Sequence, residues 1–164
     1  MNKVWFITGC STGFGRYLAV EALAKGYNVV VAARNTNDVA DIVADYPQTS
    51  LVVKLDVTVA DQIKEAVAAT IAKFGQIDVL VNNAGYGLIG AVEELSEQEI
   101  RDQMEVNFFA QAQCANAVLP AMIRQKCGTI LNVASISGRV AFPNLGYYGA
   151  SKFALVGFSE CLRQ

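Results

Sequence analysis

The sequence lacks histidine altogether and has few cysteines and prolines: its 164 residues include 0 His, 4 Cys and 3 Pro. Without histidine, zinc sites built on imidazole and Ser-His-Asp catalytic triads are excluded. The four cysteines form no CxxC pair, so the usual cysteine-based zinc and redox motifs are missing too. We therefore expect no metal site, and any proton chemistry must use other side chains.

An excess of basic residues is also missing: the chain has 13 Lys and Arg against 15 Asp and Glu, which gives a net charge of -2 and a pI of about 5.1. That balance argues against nucleic acid or an anionic membrane as partner, because both favour a basic face. No apolar run approaches the length that spans a membrane, and the apolar stretch after Lys3 is too short for a signal peptide. We expect a cytoplasmic protein with reduced thiols, and small-molecule partners remain open.

Hydrophobic residues make up 53% of the chain and charged ones 17%, which predicts a single globular domain over residues 1–164. Apolar runs of strand length alternate with longer stretches of helical period. This alternation indicates βαβ crossovers and a parallel sheet covered on both faces, with strands rich in Val, Ile and Leu. Strands are predicted at residues 4–8, 28–33, 51–55, 79–82 and 129–134.

Glycine and capping signals delimit the helices. A helix over residues 13–25 is closed by Gly26, and a second helix is closed by Gly75. The apolar face of that second helix consists of Ile63, Val67, Thr70, Ile71 and Phe74.

The second half of the chain has two more helical patterns. Ser96 and Glu99 match a capping box, and a long helical pattern follows over residues 100–126. We expect Pro120 to kink or divide it. A final helical segment begins at Tyr147 and reaches Gln164 without a Gly or Pro stop signal, so the chain is expected to end inside a helix.

Glycines are concentrated directly after the first strand, in Thr8-Gly9-Cys10-Ser11-Thr12-Gly13-Phe14-Gly15. Glycine permits a tight turn and lets a pyrophosphate approach backbone N–H groups at the following helix N-terminus. The spacing is GxxxGxG rather than GxGxxG, and the Lys-Ser/Thr of a P-loop is missing, which disfavours nucleotide triphosphate hydrolysis. The alternative is that these glycines serve only turning and packing, but the strand-to-helix context favours a phosphate-bearing ligand.

The end of the second strand, which should meet an adenosine ribose, reads Ala33-Arg34. A carboxylate there would accept from a ribose 2'-hydroxyl, whereas Arg34 can pair with a 2'-phosphate. We therefore expect NADP, with NAD as the less favoured cofactor. The alternative is a solvated surface arginine.

Tyr148 and Lys152 stand four residues apart, which places both on one face of a helix. A phenol is too weak an acid to exchange protons readily at neutral pH, and a nearby ammonium stabilises its ionised form. Ser135 falls at a predicted carboxyl strand end, where its hydroxyl can bond a substrate oxygen. The alternatives are an ordinary helix face and a serine-rich turn.

Taken together, these motifs resemble the short-chain dehydrogenase/reductase family over essentially the whole chain. The matching elements are TGxxxGxG at 8–15, NNAG at 82–85, Asn107, Ser135 and YxxxK at Tyr148 and Lys152. The resemblance implies a three-layer Rossmann fold with a doubly wound parallel sheet, whose C-terminal strands are missing from this chain.

The resemblance also implies residue roles. Tyr148 would exchange a proton with the substrate oxygen, Ser135 would orient that oxygen, Lys152 would bind the nicotinamide ribose and stabilise the tyrosinate, and Asn107 would hold a water in a proton relay. Contacts to the cofactor are implied for Gly9, Ser11, Thr12, Gly13, Phe14, Gly15, Arg34, Asp56, Val57, Asn83, Ala84, Gly85 and Lys152.

The activity so implied is hydride transfer between NADP(H) and the CH–OH or carbonyl group of a small, fairly hydrophobic alcohol or ketone. The alternatives are a catalytically weak nucleotide sensor or scaffold of the same fold, an NAD-dependent dehydrogenase, and a nucleotide-sugar epimerase or dehydratase, which the glycine spacing and NNAG disfavour. The resemblance also implies a homodimer or homotetramer, paired through the helices at 100–126 and from Tyr147 onward.

Overall fold

The protein is built on a parallel sheet with helices on both faces, and the structure, a computed structural model, describes residues 2–163. Its strands are β1 (Val4–Ile7), β2 (Asn28–Ala33), β3 (Ser50–Lys54), β4 (Val79–Asn82) and β5 (Thr129–Asn132). They lie in the order β3-β2-β1-β4-β5, and every neighbouring pair is parallel. The predicted doubly wound α/β architecture is confirmed, with strands shifted by at most two residues at their ends.

Within residues 2–163, six α-helices connect or follow the strands. They are α1 (Gly13–Ala24), α2 (Ala40–Val43), α3 (Ala60–Phe74), α4 (Glu97–Met104), α5 (Ala110–Gln125) and α6 (Gly146–Leu162). The predicted stop signals are confirmed: Gly26 and Gly75 have φ of 79° and 81°, and Gly75 caps α3. Both hydrogen bonds of the capping box between Ser96 and Glu99 are formed at the start of α4.

The long helical pattern is divided, but not where we expected. A π-helical turn, Glu105–Phe109, separates α4 from α5, while α5 continues through Pro120, so the predicted division at Pro120 is wrong. Proline removes the hydrogen bond to the carbonyl four residues earlier, at Asn116. Since Asn116 and Pro120 are both exposed, water can satisfy that carbonyl and the helix persists. The predicted helix to Gln164 ends at Leu162, and Gln164 itself lies outside the described residues.

Two apolar layers cover the sheet. Side chains of α1 and α2 pack on one face, and those of α3, α5 and α6 pack on the other. The expectation that every strand is buried on both faces is wrong for β5, where Leu131 is 43% exposed. Leu131 lies opposite Val81 in the register and therefore points to the α1 face, which is open over this edge strand.

Candidate active site at the carboxyl edge of the sheet

The carboxyl ends of β1 and β4 meet at the centre of the sheet, where the winding direction reverses. Thr8 Oγ1 accepts hydrogen bonds from the backbone N–H groups of Asn83 and Ala84, each at 3.0 Å. The Asn83 side-chain amide in turn donates to the carbonyls of Thr8 at 2.9 Å and Gly9 at 3.0 Å. These bonds fasten the glycine loop to the loop after β4, at the position where open α/β sheets bind ligands.

Close backbone packing explains two of the glycines. Gly9 has a φ of 71°, a conformation that favours glycine. A Cβ on Gly15 would collide with the Gly9 carbonyl and the Asn83 side chain, so α1 can begin this close to β4 only with glycine. Between them, Cys10 is buried, and burial raises the pKa of its thiol to about 12, which makes it unreactive.

A cavity of about 660 Å³ opens along this edge, within the usual range of small-molecule and cofactor sites. The Thr12 side chain makes no capping bond and the first turn of α1 carries no acidic residue, so this helix N-terminus keeps its affinity for an anion. Every predicted cofactor residue except Gly15 lines the cavity. The lining residues are Gly9, Ser11, Thr12, Gly13, Phe14, Ala33, Arg34, Leu55, Asp56, Val57, Asn83, Ala84, Gly85, Tyr86, Gly87, Val106, Val133, Ala134, Tyr148 and Lys152.

One end of the cavity carries the charged pair expected near adenosine. Arg34 follows β2 and is exposed, while Asp56 follows β3 and is half-buried. The Asp56 carboxylate accepts from the Thr58 N–H at 3.0 Å and its hydroxyl at 2.8 Å. These bonds lower the pKa of Asp56 against the effect of partial burial, and the charge of Arg34 lowers it further. The carboxylate is therefore held ionised and oriented at the cavity wall.

At the other end, Tyr148 and Lys152 occupy successive turns of α6. Lys152 is only 5% exposed, and its Nζ donates to the Val133 carbonyl at 2.8 Å and lies 5.8 Å from the centre of the Tyr148 ring. Burial lowers the pKa of Lys152, and no carboxylate pairs with it among residues 2–163. A buried ammonium with one carbonyl partner has further donors to offer to hydroxyl or phenol oxygens in the cavity.

Asn107, fully buried in the π-helical turn, reaches the same region from behind. Its Oδ1 accepts from the Tyr86 N–H at 3.0 Å, and its Nδ2 donates to the Tyr86 carbonyl at 2.8 Å and to Ser151 Oγ at 3.2 Å. Ser151 Oγ donates to the Tyr148 carbonyl at 2.7 Å. Asn107 does not line the cavity but connects its wall to the helical turn that carries Tyr148 and Lys152.

Ser135, the remaining predicted residue, stands beside the cavity rather than on its wall. It follows β5 and its Oγ accepts from the Ser137 N–H at 3.1 Å, which begins a 3₁₀ turn over Ile136–Gly138. That turn packs tightly on α6: a Cβ on Gly138 would lie 2.8 Å from the Lys152 carbonyl. The Ser135 hydroxyl proton makes no other bond in the described chain and stays available.

Sequence reasoning missed several residues that build this site. Thr8 and Ser151 provide the hydroxyls described above, and Gln103 and Gln111 bond the backbone of the loop after β4. Ser151 is the only polar residue between Tyr148 and Lys152, a signal that could have been used. Within residues 2–163, no cluster of acidic, cysteine or histidine side chains is placed to hold a metal ion, and none of the helices is long and apolar enough to cross a membrane.

A glycine loop at a helix N-terminus, at the carboxyl edge of a doubly wound sheet and in one cavity with a Tyr–Lys pair, is typical of a dinucleotide-binding oxidoreductase fold. The family model described as short chain dehydrogenase matches residues 3–164. The chain belongs to this family.

Individual relatives agree with this assignment. The oxidoreductase BOA17 of Botryotinia fuckeliana is 39% identical, and the match covers 100% of this chain and 60% of the relative. The structure of ElxO with NADP bound is 31% identical with a TM-score of 0.90, covering 96% of this chain and 65% of that one. A Burkholderia phymatum short chain dehydrogenase/reductase in complex with NAD is 32% identical with a TM-score of 0.93, covering 98% and 59%. This chain therefore spans about three fifths of the length of such relatives.

Gly15→Ala should destabilise the protein and abolish dinucleotide binding, because the new methyl group would collide with the Gly9 carbonyl and push the glycine loop off β4. Gly157→Ala, in α6 with open space around the site, is the matched control and should be neutral or stabilise by about 0.5–1 kcal/mol. Urea unfolding and cofactor titration measure both effects. Equal stability and binding in the two variants would contradict the close packing.

Lys152 also predicts a pH dependence of stability. Burial lowers its pKa below the ordinary 10.5, so the unfolded chain binds more protons than the folded one between the lowered value and 10.5. The free energy of unfolding contributed by Lys152 should therefore increase as the pH rises through that interval. Lys152→Met should lose this increase, whereas Lys54→Met, at an exposed lysine, should keep it. Urea unfolding at several alkaline pH values measures the free energy of unfolding of both variants.

Proposed function

We propose that this chain carries the cofactor-binding and catalytic core of an enzyme that transfers hydride between NADP(H) and the CH–OH or carbonyl group of a small, fairly hydrophobic alcohol or ketone. The observation that carries the proposal is the buried Lys152 ammonium beside Tyr148, in the same cavity as the uncapped N-terminus of α1. One end of the cavity favours the phosphates of a dinucleotide and the other supports proton exchange.

The bound nicotinamide would supply or accept the hydride. Tyr148 would exchange a proton with the substrate oxygen, and the Lys152 ammonium would stabilise the tyrosinate and bond ribose hydroxyls. Ser135 would donate its hydroxyl proton to the same oxygen, since its Oγ accepts from the Ser137 N–H and keeps that proton available. These are positioning and electrostatic contributions from groups that the fold holds in place before substrate binds.

Asn107 has a more constrained role in this scheme. Both ends of its side chain are bonded to Tyr86, and the amide also reaches Ser151. We propose that its contribution to proton transfer runs through the backbone of the π-helical turn, which would hold the relay water, because the side-chain amide is already bonded.

For the cofactor, we propose NADP rather than NAD. Arg34 is exposed, lines the cavity and makes no ion pair within residues 2–163, so its guanidinium is free to bond a 2'-phosphate. Arg16, by contrast, pairs with Asp41 and bonds the Asp38 carbonyl, and it serves to hold α1 against the segment after β2.

The hydrophobic character of the proposed substrate rests on two loops, residues 86–90 and 140–145. A backbone hydrogen bond of 3.0 Å from Gly90 to Asn144 joins them. They present large apolar side chains to solvent, with Ile89 75% and Phe142 40% exposed. An uncharged alcohol or ketone would cover such side chains, and oxidation or reduction would occur at the end beside Tyr148.

We further propose one dinucleotide-binding domain over residues 1–164, continued beyond the open edge of β5, and a cytoplasmic homodimer or homotetramer. A groove on α4 and the π turn supports pairing through this part of the long helical segment: its apolar residues Ile100, Met104 and Phe109 are flanked by the charged Glu97, Arg101 and Glu105. The four thiols are all free, two of them exposed, in keeping with a reducing compartment.

Tyr148→Phe tests the reaction. It removes the proton donor and little packing volume, so turnover should fall by at least about 100-fold while NADPH affinity stays nearly unchanged. Tyr147→Phe, the same change one residue earlier, should retain activity. The measurement is the loss of reduced-nicotinamide absorbance with a panel of ketones, alongside fluorescence titration with NADPH. Full activity in Tyr148→Phe would refute the assignment.

Arg34→Asp tests the cofactor. Replacing a phosphate-pairing guanidinium by a carboxylate should shift the NADPH-to-NADH affinity ratio by roughly 10- to 100-fold toward NADH. Lys54→Asp makes the same charge change on an exposed residue that pairs with Ala33 in the sheet but does not line the cavity. It should leave the ratio nearly unchanged. If both variants shift the ratio equally, the preference comes from net charge and not from Arg34.

A further inference from the structure

The wall of the cavity next to Tyr148 contains a tyrosine between two glycines, Gly85-Tyr86-Gly87. Glycine has wide backbone freedom, so this segment cannot hold a fixed conformation by itself. Its order must come from the helices behind it. The Tyr86 N–H and carbonyl are both bonded to Asn107, and the carbonyl also accepts from Gln103 Nε2 at 3.4 Å.

Three side-chain amides, four residues apart along the helical segment behind this wall, bond its backbone. Gln103, Asn107 and Gln111 are all at most 2% exposed, and Gln111 Nε2 donates to the Ala84 carbonyl at 3.0 Å. In a regular α-helix each step of four residues overshoots a full turn by about 40°. The π turn over Glu105–Phe109 has more residues per turn and so reduces that drift, and all three amides bond the backbone of residues 84–86.

Burying the Gln103 side chain costs free energy, so we ask which interaction of its amide offsets that cost. Its side chain is fully buried, and its Oε1 has no hydrogen-bond partner in the described part of the chain. Methionine would fill the same space without burying an unpaired polar atom. Among residues 2–163, the only group that the Gln103 side chain bonds is the Tyr86 carbonyl, which also accepts from Asn107.

We propose that Gln103 is a positioning residue for substrate: it fixes the Tyr86–Gly87 peptide and so places the Tyr86 ring at the substrate end of the cavity. This rests on the proposed oxidoreductase function. Tyr86 lines the cavity together with Tyr148, and the chain continues from it through Gly87 to the apolar Ile89. A displaced Tyr86 would change the fit of the substrate, whereas the dinucleotide contacts of the glycine loop would remain.

The charged and titratable groups around this peptide define how a carboxyl introduced at position 103 would behave. Glu99 and Asp102 of α4 lie near the Tyr86 phenol, whose pKa is raised by burial and then by these two carboxylates. On the opposite side, Lys152 Nζ lies 3.7 Å from the position of a Cβ on Gly85, and Tyr148 lies next to it. Burial and the two carboxylates favour the protonated form of an introduced carboxyl, and Lys152 opposes them.

Two substitutions separate positioning from packing. Gln103→Met keeps the volume but removes the donor, so KM for ketone should rise about 2- to 10-fold with NADPH affinity unchanged. Gln103→Glu should restore a low KM at acidic pH, where the protonated carboxyl donates to the Tyr86 carbonyl. It should lose that effect as the pH rises, because a carboxylate has no proton to donate and repels the carbonyl oxygen.

The measurements are kcat and KM of each variant relative to the wild-type enzyme from pH 6 to 9, and amide hydrogen exchange of residues 84–90. Gln98→Met and Gln98→Glu, at an exposed position of the same helix, are the matched controls and should change neither the kinetic constants nor the hydrogen exchange.

Faster exchange in Gln103→Met, together with the pH-dependent KM of Gln103→Glu, supports the proposal. Unchanged exchange, or equal KM for both Gln103 variants at every pH, overturns it. If the wild-type enzyme turned over no carbonyl compound, the proposed function would fail, while hydrogen exchange would still decide whether Gln103 positions Tyr86.

Discussion

The bonds between Thr8 and the Asn83–Ala84 backbone join the loops that follow β1 and β4, at the point where the winding of the sheet reverses. Two loops leave the sheet there in opposite directions, and without a tie between them the cavity would have two independent walls. A single threonine hydroxyl and one asparagine amide fix their separation. Because Gly15 allows α1 to start against this junction, the helix N-terminus and the loop after β4 face the same cavity.

The second constraint is the cost of burying Lys152. An ammonium that is 5% exposed and bonded to one carbonyl loses much of its hydration. The fold holds it there because α6 packs on the 3₁₀ turn after β5 so closely that only glycine fits at Gly138. A side chain held against its preference for water interacts strongly with any oxygen brought beside it, and this is the electrostatic condition that the proposed proton exchange through Tyr148 would require.

Features that depend on local residue spacing could be predicted from the sequence, whereas features that depend on tertiary contacts could not. Gly9 and Gly13 required positive φ, and four-residue spacing set Tyr148 and Lys152 on one helix face, so both were readable. The π turn was not, because it accompanies a tertiary contact that leaves no local pattern, the pairing of Asn107 with Tyr86, twenty-one positions earlier. The prediction that Pro120 divides the helix failed because Pro120 is exposed, so water satisfies the freed carbonyl and the helix continues. The sequence does not show this exposure.

The cavity has two kinds of wall, and under the proposed function this difference would let one dinucleotide-binding core accept different substrates. The dinucleotide end is formed by strand termini and hydrogen-bonded backbone, where small changes disrupt the fold. The substrate end is formed by loops joined through one backbone bond between Gly90 and Asn144, with apolar side chains open to solvent. Substitutions there cost little stability, since those side chains have few buried contacts to lose. The amides of Gln103 and Asn107 hold the boundary between the two walls at Tyr86, so in the proposed reaction the substrate oxygen would keep its place near Tyr148 while the rest of the substrate site varies.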